Sequence, residues 1–211
     1  SVDNIGRHLL GFESIGQHKA HAVTNYLQQY RPDRTVTAYC KYLQQLETEK
    51  INEASAIFVC TGDVMSEKWL IDKMDEGNIN KPAFLLWLEP YGISGIMIYV
   101  NPDDKDSIRR LKGKAADSFL DYCLIKREEY DNREKLTRRD VGCNGSYALY
   151  SANDVTMFLS AVFPIIDQLL DKPTNSCCHR WVGNVDIATA KNIELVSSSS
   201  LSKGMVQSLS V

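Results

Sequence analysis

Six consecutive apolar residues, Ala83-Phe84-Leu85-Leu86-Trp87-Leu88, stand between Lys81-Pro82 and the turn sequence Glu89-Pro90-Tyr91-Gly92. A run this short, with no polar alternation, predicts a β-strand buried on both faces, and so a sheet covered on both sides. A second strand is expected over Ile96–Val100, halted by Asn101-Pro102, and a third over Ala56–Cys60, ending in Thr61-Gly62-Asp63. Helix-compatible stretches separate these runs. Strands alternating with helices predict an α/β fold with a partly parallel sheet.

The helices can be read from caps and breakers. Ser14-x-x-Gln17 has the form of a capping box. Ile15, Lys19, Val23, Tyr26 and Tyr30 then mark one helical face before Pro32. The β-rich run Thr35-Val36-Thr37-Ala38-Tyr39 predicts another strand, and Ser66 a cap for a short helix carrying Trp69, Leu70 and Met74. Asn153-Asp154 is expected to cap a helix over Val155–Leu170, apolar nearly all round, buried, and kinked by Pro164. Residues 103–140 are charge-rich and weakly periodic, an expected insertion of short helices or a solvated excursion. Residues 141–153 form a cysteine loop, closing a domain over 1–172, and 173–211 a tail with short strands.

The 211 residues suffice for one well-buried domain. A formal net charge of -3 and the absence of a long basic run give no electrostatic case for nucleic acid. No apolar stretch reaches the roughly 18 residues of a membrane span, and the polar N-terminus is not that of a secretory signal. The six cysteines lack a disulfide-framework or C-x-x-C spacing, so a reduced, cytoplasmic chain without structural zinc is expected.

Chemistry concentrates near the N-terminus. Asn4-Ile5-Gly6-Arg7 and Gly16-Gln17-His18-Lys19-Ala20 set an arginine and a lysine across one loop and a helix start, and Asp63 follows a strand. Two cations and a carboxylate at a strand's C-terminal end suit a magnesium–nucleotide site. Cys143 lies in Val141-Gly142-Cys143-Asn144-Gly145-Ser146, where flanking glycines permit close approach of an extended peptide.

In order and spacing these residues resemble the ThiF and MoeB superfamily of ubiquitin-activating-type adenylating enzymes. The family loop reads S-N-x-x-R-Q, then G-x-x-K-[AS], then a strand ending T-D. Here Asn4 and Arg7, Gly16 and Lys19, and Thr61 and Asp63 match, with His8 in place of glutamine and Gly62 inserted before Asp63. The resemblance implies that Asn4, Arg7, Lys19 and Asp63 bind ATP, that Arg7 and Lys19 act on its phosphates, and that Asp63 holds Mg2+. The fold it implies is α/β, a Rossmann-like three-layer domain with a mixed, largely parallel sheet. The family's opening β-α-β unit with its Gly-rich loop is not found, so the chain is expected to be the C-terminal part of a longer protein.

The layout Gly142 to Tyr147, Tyr150-Ser151 and Asp154 is most similar to bacterial activating domains fused behind a ubiquitin-conjugating-like domain, some serving antiphage defence. The implied function is ATP-dependent adenylation of a protein C-terminal carboxylate, ubiquitin-like or nucleotidyltransferase-like, followed by thioester formation on Cys143 in a homodimer. Adenylation without a thioester, and a non-catalytic scaffold half of an activating complex, are the alternatives.

Overall fold

The structure is a computed structural model, and it describes residues 10–139, 146–196 and 201–211. Its order is α1 (Lys19–Tyr30), α2 (Thr48–Ile51), β1 (Ile57–Val59), α3 (Val64–Asp75), β2 (Ala83–Leu88), β3 (Ser94–Val100) and α4 (Lys105–Ala115). There follow α5 (Arg133–Leu136), β4 (Thr137–Arg139), β5 (Ser146–Ala148), α6 (Ala152–Asp171), β6 (Cys177–Val182), α7 (Asp186–Lys191) and β7 (Val206–Leu209). The main sheet has the order β1-β2-β3-β6-β7, and β4 and β5 form a separate ribbon.

The α/β class and the mixed sheet stand as expected. Strand direction is the correction: only β1–β2 is parallel, and β2–β3, β3–β6 and β6–β7 are antiparallel. The turn Glu89–Ile93 explains the change, because so few residues can return the chain only as a hairpin, whereas a parallel partner requires a crossover. That crossover exists once, as α3 between β1 and β2.

Period-two alternation divides the sheet between two cores. Ala83, Leu85, Ile96, Ile98 and Val100 face Leu70, Ile71 and Met74 of α3 and Ile108, Leu111 and Ala115 of α4. Phe84, Leu86, Met97 and Tyr99 face Phe158, Val162, Ile166 and Leu169 of α6. Helices thus cover both faces, giving three layers, and β2 lies between them as its unbroken apolar run requires. Gly95 lets α6 come close, since any Cβ there would enter the Phe158 ring.

Several local expectations are corrected. Residues 35–39 pair with no other strand and form none. Helix α1 begins at Lys19 after a 3-10 turn at Phe12–Ser14, and the Gln17 amide bonds the Glu13 carbonyl instead of closing a capping box. Asp63, not Ser66, caps α3. Ser151 caps α6 and makes a reciprocal box with Asp154. That helix is buried on one face only: Met157, Phe163 and Leu170 are exposed. Pro164 lies inside the assigned helix.

The segment 103–139 is no solvated excursion, since α4 buries Ile108, Leu111 and Ala115 and Phe119, Tyr122, Leu124, Ile125 and Leu136 are buried beyond it. In the expected tail, β6 is an interior strand, paired with β3 and β7. Among the described residues no helix is long and apolar enough to cross a membrane.

Candidate functional site

The unit β1-α3-β2 places one carboxylate at the mouth of its only parallel strand pair. After β1 the chain runs through Cys60 and Thr61 to Gly62, whose φ of +59° is left-handed. A glycine takes that conformation without steric cost, and it lets the chain turn from β1 into the cap at Asp63. Cys60, the last residue of the strand expected over Ala56–Cys60, is exposed, because β1 ends at Val59.

Asp63 occupies the N-cap of α3. Its Oδ1 accepts from the Met65 N–H at 3.3 Å. Its Oδ2 accepts from the Ser66 N–H at 3.2 Å and the Ser66 hydroxyl at 2.7 Å. The Ser66 hydroxyl above all, with those two backbone N–H groups, holds its carboxyl below the usual range despite partial desolvation. Asp63 is therefore ionised at neutral pH and aligned with the positive end of a 12-residue helix.

One turn further on is a residue that the motif reading missed. Glu67 is 4% exposed, and its Oε1 is buried with no hydrogen-bond partner. Burial first, and the Asp63 charge second, push its carboxyl from 4.5 up to about 7. A sequence signal existed: Glu67 shares the α3 face of Leu70, Ile71 and Met74, where an apolar residue belongs. An uncompensated buried carboxylate costs stability, so its presence points to use.

A second buried carboxylate was also missed. Glu89, 1% exposed, ends β2 and accepts from the Leu124 N–H (2.7 Å), the Ile125 N–H (3.0 Å), the Tyr130 hydroxyl (2.5 Å) and the Ser94 hydroxyl. These donors tie the β2–β3 turn to the segment after α4. Cys123, beside this group, is buried, and desolvation foremost, with the Glu89 charge, pushes its thiol well up, away from the nucleophilic thiolate.

Of the residues singled out from sequence, Asn4, Arg7 and Cys143 lie outside the described residues. Lys19 is the first residue of α1 and exposed. Among the described residues no hydrogen bond or ion pair joins it to Asp63, and α1 contributes to none of the three core clusters. Nor do any three His, Cys, Asp or Glu side chains gather as a metal-binding group among the described residues. Cys177 and Cys178 are free thiols on successive residues of β6, and successive strand side chains face opposite ways.

A polar depression of about 500 Å³ lies elsewhere, lined by Lys126, Glu128, Glu129, Asn132, Lys135 and Glu194. Its lysines are spent internally: Lys126 pairs with Glu194 at 2.6 Å and Lys135 with Glu129 at 3.3 Å. The Asp63–Glu67 end of α3 is the better candidate for chemistry. No protein-family model matches the chain, and no curated protein matches it in sequence.

Proposed function

We propose that the chain is an ATP-dependent activating domain that adenylates a protein C-terminal carboxylate and then takes the acyl group onto Cys143. The observation that supports this reading is Asp63, an ionised carboxylate at the carboxyl end of a parallel strand and the N-terminus of the following helix. Open α/β sheets bind ligands at that position.

In this reading the substrate carboxylate attacks the α-phosphorus of ATP and pyrophosphate leaves. Arg7 and Lys19 oppose the negative charge that accumulates, and Asn4 contacts the nucleotide. The Cys143 thiolate, its proton lost to solvent, then attacks the acyl carbon and AMP leaves with the electron pair. Mg2+ would screen the phosphates and would be held from the protein side by Asp63. The orphaned Glu67 oxygen fits a cation at this end of α3. The reading implies a cytoplasmic protein working with a conjugating-type domain, of the sort found in bacterial antiphage systems. Exposed Phe163 (49%) and Leu170 (44%) on α6 favour its homodimeric form.

The scaffold alternative also has an observation in its favour: both Asp63 oxygens are engaged by the helix that Asp63 caps. Carboxylate-dependent ATP–pyrophosphate exchange in the full-length protein separates the two. Lys19→Ala and Asp63→Ala should each lower exchange by about two to three decades. Wild-type exchange in both variants, or none in the wild type, would leave the scaffold. Loss of a thiol-sensitive acyl adduct in Cys143→Ala, with exchange retained, identifies the nucleophile; its persistence would leave adenylation without a thioester on that residue.

A further inference from the structure

We propose that Glu67 is a second carboxylate ligand beside Asp63, the two forming the protein's half of a site for a hard divalent cation. The proposal deepens the adenylation reading and rests on it for the cation's purpose, though not for its existence.

Geometry comes first. Glu67 lies four residues after Asp63, one helical turn on. Helical Cα–Cβ bonds tilt toward the N-terminus, so its side chain leans over the turn that Asp63 caps.

Bonding comes second. The neutral donors near Glu67 are committed elsewhere: the Ser66 hydroxyl bonds Asp63, and the Gln44 amide bonds the Ser66 oxygen at 3.4 Å. No donor among the described residues reaches Glu67 Oε1, although that atom is buried.

Charge comes third. The cations paired along α3 serve its far end. Lys73 pairs with Glu76, Lys112 with Asp72 and Asp75, and Lys105 donates to the Met74 carbonyl. Neighbouring Lys68 is exposed. Among the described residues no ion pair to either carboxylate is formed, so these cations leave the two acids at the β1 end of α3 unneutralised.

A divalent ion resolves all three features together. It supplies the missing partner and offsets the mutual repulsion of the two carboxylates, whose negative charges outweigh the partial positive charge of the helix end. Two carboxylates suffice for Mg2+ or Mn2+, which keep several waters and complete their shells with substrate phosphates. No third acidic ligand is needed.

The test is titration of the full-length, nucleotide-free protein with MnCl2 alone, by calorimetry, with melting temperature as a second readout. Wild type should bind one ion and melt higher with Mn2+. Glu67→Gln, a neutral isostere that relieves a buried charge and so should fold, should lose about tenfold or more in affinity. It should also lose the Mn2+-dependent rise in melting temperature. Asp63→Asn should weaken binding likewise. Equal Mn2+ binding by wild type and Glu67→Gln would overturn the assignment. So would a wild type that binds no ion, the result expected if the buried carboxyl is simply kept protonated. A Mn2+ site in a protein without pyrophosphate exchange would sink the adenylation reading and spare this one. Exchange in a protein whose Mn2+ affinity ignores Glu67 would do the reverse.

Discussion

Two buried glutamates, Glu89 and Glu67, show what burial means when the surroundings differ. Glu89 is encircled by four donors from three parts of the chain and has no free valence to offer a ligand. Glu67 is almost as buried, yet one oxygen lacks a partner and an acidic neighbour opposes its ionisation. The first carboxylate holds turns together. The second is poorly satisfied by its own chain, the condition from which a binding residue is made. Burial alone does not separate structural from functional acids; donor satisfaction does.

The contrast can be broken most directly at Glu89. Glu89→Ala strands two backbone N–H groups and two hydroxyls in the core, and should cost about 3–5 kcal/mol in denaturant unfolding. A loss below about 1 kcal/mol would show that water replaces the carboxylate and that the group is no staple.

At Glu67 the sign reverses. Its folded value of about 7 exceeds its usual 4.5, so the native state holds a proton that the unfolded chain has released. Stability from this group is complete below 4.5 and is lost as pH rises through 7, by about 3 kcal/mol in all. His179, whose imidazole is pushed down by burial, contributes the opposite slope over part of this range. The difference between wild type and Glu67→Gln, measured with chelator present, cancels it. Glu67→Gln should abolish the loss, becoming the more stable protein at pH 8, and parallel pH profiles would contradict an unsatisfied buried acid.

The smallest effect sharpens the account of Glu89. Tyr130→Phe removes one of its four donors and should cost about 1 kcal/mol, with the others retained. Equality with Glu89→Ala would mean that the phenol carries the whole contact.

What the sequence discloses follows from how local each feature is. β1, β2 and β3 are legible because short apolar runs between breakers have few alternatives, and α6 because its caps and period are contained within it. The run 35–39 has the same β-rich composition but finds no neighbouring strand, and propensity without a partner makes no sheet. β6 was expected only as one of the tail's short strands: Cys177–Val182 is polar in part, and it becomes an interior strand through pairing on both sides. At the candidate site, Asp63 stood out by its place after a strand, and Gly62 supplied the turn that motif spacing did not foresee. Glu67 was visible as an acid on an apolar helix face. Glu89 was hidden within an ordinary turn sequence, because its donors arrive from segments far along the chain.

The strand order carries a consequence for how the chain is assembled in time. β2 and β3 can zip as soon as both are synthesised, since only a short turn divides them. β3's other flank must wait for β6, and the contact at its end, from Asn101 to Ser176, joins residues 75 apart. Until then a fully buried strand, Ser94–Val100, presents one open edge of unpaired amides to its surroundings. A nascent or C-terminally clipped chain therefore keeps the helix-covered β1-β2-β3 half while exposing a strand ready to pair with whatever arrives first. β6 acts as the seam that closes this edge, and the interval before it is made is when the sheet is most exposed to aggregation or in need of a chaperone.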